Sequence, residues 1–157
     1  MQPLSGFNII SLAINVPGPV AAAELRDLGA TVCKIEPPAG DPLARFSQPW
    51  YERLCADMEV ITFDLKSTNG MTELESRLEN TDLLLTATRP AALSRLGLDW
   101  SQLHARYPRL CHVGIIGYPH PHENRAGHDL TYQAVHGTLH PPHMPQGLLA
   151  HMAGAQR

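Results

Sequence analysis

The sequence predicts an α/β fold, a mostly parallel sheet with helices on both faces. Three observations carry that expectation. Short apolar runs alternate with segments whose apolar residues recur at helical spacing, and this alternation marks a layered sheet rather than a bundle or a sandwich. The first strand–helix–strand unit takes about 30 residues, the size of a parallel crossover. The 157 residues are 43% hydrophobic and 17% charged, enough to bury the core of one domain.

The elements follow in order. Phe7-Asn-Ile-Ile-Ser-Leu-Ala13 reads as a short buried strand. Pro17-Gly-Pro19 ends it and suits the first turn of a helix, which runs to about Leu28 with Ala21, Leu25 and Leu28 on one face. Gly29 is the expected stop. Thr31-Val-Cys-Lys-Ile-Glu36 is a second strand, closed by Pro37-Pro38, and the turn residues from Ala39 onward predict a loop. Glu59 to Leu65 is a third strand. Ser67 can cap the next helix, whose core face is Met71, Leu74 and Leu78. Asp82-Leu-Leu-Leu-Thr86 is a fourth strand, and Arg89-Pro90 starts a short helix that ends near Gly97. Asp99-Trp-Ser-Gln102 has the form of a capping box for one more helix, to about Arg106. Leu110 to Ile116 is a fifth strand.

Charge and composition narrow the function. A net charge of −3 provides no electrostatic basis for nucleic-acid binding. No apolar run is long enough to span a bilayer, and the first residues lack the basic and apolar regions of a signal peptide. Cys33, Cys55 and Cys111 have no metal-like spacing. Cys33 and Cys111 sit in strand-like runs, which predicts buried free thiols and a reducing, cytoplasmic setting. Histidines gather late, at positions 120, 122, 128, 136, 140 and 143. They lack the acidic or cysteine partners that would complete a metal set, so no metal is expected.

Two stretches invite a chemical reading. Val16-Pro-Gly-Pro19 lies where a strand feeds a helix, a place that can hold an anion, but without a GxGxxG or GxxxxGK[ST] pattern a plain tight turn is the better reading. Gly127-His128-Asp129 opens an apolar, helix-like run. An imidazole there titrates near neutrality and suits proton transfer. Asp129 either orients it or caps the helix that begins at Leu130.

Several segments, taken in order, resemble the class III CoA-transferases, the CaiB/BaiF family. They are Pro17-Gly-Pro19, Leu28-Gly-Ala-Thr-Val-Cys-Lys-Ile-Glu-Pro-Pro-Ala-Gly-Asp-Pro42, Phe63-Asp-Leu-Lys66, Arg89-Pro90, Leu96-Gly-Leu98 and Tyr107-Pro-Arg-Leu110. Gly127-His-Asp-Leu-Thr-Tyr132 is most similar to the branch that includes alpha-methylacyl-CoA racemase. The resemblance implies the N-terminal part of a Rossmann-like large domain, coenzyme A or acyl-CoA as substrate, and no metal. It implies a homo-oligomer, interlocked in the family, or a complementary chain as partner. It implies CoA contacts from Phe63, Asp64, Leu65, Lys66, Arg89, Gly127, Asp129 and Tyr132, and proton transfer by the histidine matching His128.

The sequence departs from the family pattern at three places. Leu148-Leu-Ala-His151 puts histidine where the family carries the aspartate that forms the covalent acyl anhydride and then the CoA thioester. Gly117-Tyr-Pro-His-Pro-His122 replaces a Gly-rich segment, and Thr86-Ala-Thr88 replaces Glu-Asn-Phe. Family members are also considerably longer. The chain is therefore expected to be one truncated large-domain segment, 1–157, with an ordered core over about 5–137 and an irregular tail over 138–157. An acyl-CoA:carboxylate CoA-transferase that is weak or inactive alone is the first expectation. A non-catalytic CoA-binding or assembly module is the second. A 2-methylacyl-CoA racemase using His128 and His151 is the third.

Overall fold

The structure, a computed structural model, describes residues 2–145 and 147–156. Its elements are β1 (Asn8–Ser11), α1 (Pro17–Asp27), β2 (Thr31–Glu36), α2 (Pro42–Phe46), α3 (Gln48–Cys55), β3 (Glu59–Thr62) and α4 (Thr68–Leu78). They continue with β4 (Leu83–Thr86), α5 (Pro90–Arg95), α6 (Trp100–Arg106), β5 (Cys111–Gly114), α7 (Asp129–Val135) and α8 (Leu149–Ala155). The five strands are all parallel and lie in the order β3-β2-β1-β4-β5. Chain direction along the sheet reverses between β1 and β4, so the crevice beyond their C-terminal ends is where a ligand is expected in such a sheet.

Both faces are covered at the centre. Ile9, Val32 and Leu85 pack on one side against α1, Leu43 and Ala155, while Ile10, Ile35 and Leu84 pack on the other against Leu74, Leu78, Leu93 and Leu103. Strand period 2 sends neighbouring residues to opposite layers, which is why continuous apolar runs form the central strands. Coverage fails at the edge: in β5 Val113 is exposed and only His112 is half-buried.

The local signals mostly hold. Gly29 has φ +103° beyond α1, Ser67 Oγ accepts from Gly70 N–H at 3.0 Å, and Asp99 Oδ1 accepts from Gln102 N–H at 3.2 Å. Gly18 sits so close to Ala13 that a Cβ would lie 2.5 Å from its backbone, so the Pro17–Pro19 stretch is a packed turn.

Five expectations need correction. Helix α1 stops at Asp27, and Leu28 caps it while 45% exposed instead of joining the core. Residues 42–55 form two helices rather than a loop, because Asp41 Oδ1 accepts from Leu43 N–H and Pro42 and Pro49 pre-set the first turns. Strand β3 ends at Thr62, where Asp64 turns the chain by accepting Lys66 N–H at 2.9 Å. Cys111 is exposed, on the uncovered edge strand, whereas Cys55 is buried. The tail is not irregular throughout, since α8 packs against α1 and α7.

The C-terminal end of β2 is held by a buried ionic cluster. Lys34 is fully buried, and its Nζ pairs with Glu36 Oε1 and, at 2.8 Å, with Asp41 Oδ2. Glu36 also accepts from Asp41 N–H at 3.0 Å and from Tyr51 Oη at 2.8 Å, and Asp41 accepts from Asn15 N–H at 2.9 Å. Burial, then the bond to Glu36, pushes the Tyr51 phenol up, so it stays a donor.

Replacing Lys34 by Met leaves two buried carboxylates without their cation and is expected to cost about 3–5 kcal/mol, read as a lowered urea midpoint. A second expectation concerns acid. Burial lowers the pKa of His112, whose Nε2 lies 3.0 Å from Thr86 Oγ1. The unfolded state then binds more protons than the folded state below the ordinary value of 6.5, so stability falls as pH drops through that value. Thermal melts of His112→Gln from pH 8 to 5 should show a flatter decline than those of the parent chain.

Candidate functional site

The loops that leave β3, β4 and β5 meet beyond the C-terminal edge of the sheet, and the predicted site residues divide between two places there. The first is the β3–α4 turn. Phe63 and Leu65 are half-buried against the core, and Asp64 is spent on the turn. Its carbonyl accepts from Ser67 Oγ at 2.7 Å and lies so near Gly70 that a Cβ there would be 2.1 Å away. Lys66 is left exposed. It lines a shallow cavity of ≈ 490 Å³ together with Ser67, Met71, Glu75, Arg95 and Leu96.

The second place is built by the β4–α5 turn, the loop after β5, α7 and α8. A cavity of ≈ 420 Å³ is lined by Ala87, Thr88, Arg89, Ala92, Arg95 and Asn124. Asn124 Oδ1 accepts from Ala91 N–H at 2.9 Å, which pins the loop after β5 to the start of α5. Arg95 lines both cavities and connects them.

Tyr132 stands at the centre of the second cluster. Its ring meets the edge of Tyr118 at 5.1 Å between centroids and that of His151 at 6.4 Å. It presses on two glycines: a Cβ would lie 2.0 Å from its hydroxyl at Gly117 and 2.5 Å from its ring at Gly127. Any side chain at either position would displace the ring. Arg125 stacks over Tyr118 at 5.5 Å. Burial, then Tyr118, raises the Tyr132 pKa, and Arg89 acts against them. Arg89 itself lines the second cavity.

His128 and Asp129 open α7, and Asp129 is not the cap that the sequence offered it as. His128 is the N-cap residue of α7, where its backbone N–H donates to Thr131 Oγ1 at 2.8 Å and its carbonyl accepts from the same hydroxyl at 2.7 Å. Its position is exposed. Asp129 is the first residue of α7 and does not cap that helix. Buried, it accepts from Gln133 Nε2 through Oδ2 and from the His151 N–H at 2.9 Å through Oδ1. Asp129 thereby ties α8 to α7 and sets where His151 sits. Burial lowers the His151 pKa and His128 adds to the effect, against the pull of Asp129. His151 Nδ1 is buried without a hydrogen-bond partner.

The structure brings Gly127, His128, Asp129, Tyr132 and His151 together, places Arg89 on the second cavity, and keeps Phe63, Asp64, Leu65 and Lys66 in the β3–α4 turn. Sequence reasoning missed Arg95, Asn124, Tyr118 and the packing role of Gly117. No motif marks them; only the pairing of distant loops does. Among the described residues no three His, Cys, Asp or Glu side chains gather as metal ligands. The arrangement offers three cations on two adjoining cavities, Lys66 and Arg95 on the first and Arg95 and Arg89 on the second. Such a row suits a ligand with several phosphates and a reactive end.

Known proteins share this organisation. Residues 4–148 match the family described as CoA-transferase family III. Cinnamoyl-CoA:phenyllactate CoA-transferase of Clostridium sporogenes is 36% identical over 96% of the chain and 42% of its own length. Succinyl-CoA–D-citramalate CoA-transferase of Chloroflexus aurantiacus is 30% identical over 87% of the chain and 36% of its own length. Of solved structures, the hypothetical protein Rv3272 of Mycobacterium tuberculosis superposes with a TM-score of 0.86 at 29% identity, over 99% of this chain and 49% of that one. A CaiB/BaiF family protein of Brucella suis gives 0.84 at 28% identity, over 98% and 45%. The chain thus spans less than half the length of these relatives. From residue 4 to residue 148, and in its sheet order, the chain belongs to CoA-transferase family III.

Proposed function

We propose that the chain binds acyl-CoA along the Lys66–Arg95–Arg89 groove, with the thioester at His128 and His151, and that it does not complete CoA transfer. One observation carries the reading: Lys66, Arg95 and Arg89 line two cavities that share Arg95, a row of cations suited to phosphates. Phosphates of CoA fit guanidinium and ammonium groups at the open end. The obstacle to transfer is chemical. Transfer requires a carboxylate that first takes the acyl group as an anhydride and then holds CoA as its own thioester. The imidazole of His151 can take an acyl group, but it has no carbonyl carbon on which CoA could be held.

Assembly is part of this reading. Val113, Ile116, Leu130, Val135 and Leu149 are all exposed, on the edge strand and the elements that follow it. Apolar side chains gathered in this way support a partner, either a second copy or a complementary chain. The alpha and beta subunits of succinyl-CoA–L-malate CoA-transferase of Chloroflexus aurantiacus are among the relatives. Among the described residues no helix is long and apolar enough to cross a membrane.

Calorimetry with CoA should show binding, and Arg95→Ala should weaken it about tenfold, since a hydrogen bond to a charged group is worth roughly 1.5–3 kcal/mol. Mass spectrometry of the chain with acyl-CoA and a carboxylate acceptor should show no CoA exchange; robust exchange would overturn the second half of the proposal. Light scattering should report a species heavier than one chain, and a monodisperse monomer would remove the assembly reading.

A further inference from the structure

His151 is not merely a lost aspartate. Its backbone N–H is anchored on Asp129 at 2.9 Å, its ring meets Tyr132 at 6.4 Å, and Nδ1 is buried with no partner. Its side chain is half-buried, so part of the ring surface faces water. A half-buried imidazole whose backbone is held by Asp129 is equipped for a reaction that a carboxylate at the same place is not. Burial lowers its pKa and so favours the neutral, nucleophilic ring at pH 7.

We propose that this site hydrolyses acyl-CoA thioesters, with His151 as the nucleophile. The inference rests on the acyl-CoA reading above. The lone pair of the unprotonated ring nitrogen of His151 attacks the thioester carbonyl carbon. The C–S bond breaks, its electron pair leaves with sulfur, and the CoA thiolate takes up a proton from solvent. The acylimidazolium left on His151 is more electrophilic than the thioester. Water attacks it, a new C–O bond forms, the C–N bond breaks, and the electron pair returns to the ring nitrogen. Acyl-CoA and water thus give a carboxylate, the CoA thiol and one proton, and no acceptor is needed. His151 is the catalytic residue, and Asp129 is a positioning residue that acts through it.

The test uses the whole 157-residue chain with acetyl-CoA and benzoyl-CoA, reading thiol release colorimetrically and CoA binding by calorimetry. Thiol release should exceed that of an equal concentration of free imidazole and fall about a hundredfold in His151→Ala. His151→Gln, which keeps a polar side chain, carries the comparison if circular dichroism shows that the alanine variant does not fold. In His151→Asp hydrolysis should drop, and a covalent CoA thioester should appear at residue 151 by mass spectrometry, because a carboxylate can hold what an imidazole cannot. CoA binding without thiol release, or release unchanged in both His151→Ala and His151→Gln, would overturn hydrolysis and leave the binding reading standing. An absence of CoA binding would overturn both.

Discussion

The C-terminal end of β2 depends on the buried ion cluster of Lys34, Glu36 and Asp41. Lys34 comes from β2, Asp41 caps α2, Tyr51 comes from α3, and Asn15 lies in the turn between β1 and α1. One ammonium between two carboxylates therefore fixes four separate pieces of chain beside the crevice where the sheet reverses direction. A buried charge is tolerable only when its partners are in place, so this end of the sheet forms as a unit or not at all.

The β5 side is secured differently. Gly117 and Gly127 let the Tyr132 ring lie against two stretches of backbone, and Asn124 fastens the intervening loop to α5. Asp129 then reaches from α7 to the backbone of His151 in α8. Each contact joins residues from different elements, and none involves a charged pair like that of Lys34. This half is held by close packing and single hydrogen bonds, and it carries the exposed apolar residues that assembly would cover.

The two groups of residues differ in chemistry. Lys66, Arg95 and Arg89 put cations on the two cavities, a chemistry generic to phosphates. Tyr132 and His151 meet at 6.4 Å, and Asp129 holds the backbone of His151. In the function proposed above, a nitrogen nucleophile stands where the family resemblance implies a carboxylate, and it cannot later hold CoA.

The sequence by itself determined the strands and most of their sides, because Ile, Leu and Val at strand spacing have no other way to leave water. It also determined the caps of α4 and α6, since Ser67 and Asp99 act within a few residues of themselves. The resemblance located the family and offered Arg89, His128 and His151 as candidate site residues. Tertiary structure decided the rest. Helices α2 and α3 depend on Asp41 being held by Lys34, α8 depends on a carboxylate 22 residues away, and Asp129 left the local cap the sequence suggested for it. Arg95, Asn124 and Gly117 acquired their places only when distant loops met. Local chemistry is legible in a sequence because its partners are adjacent; a site made of loops from separate strands exists only once the sheet has set their spacing.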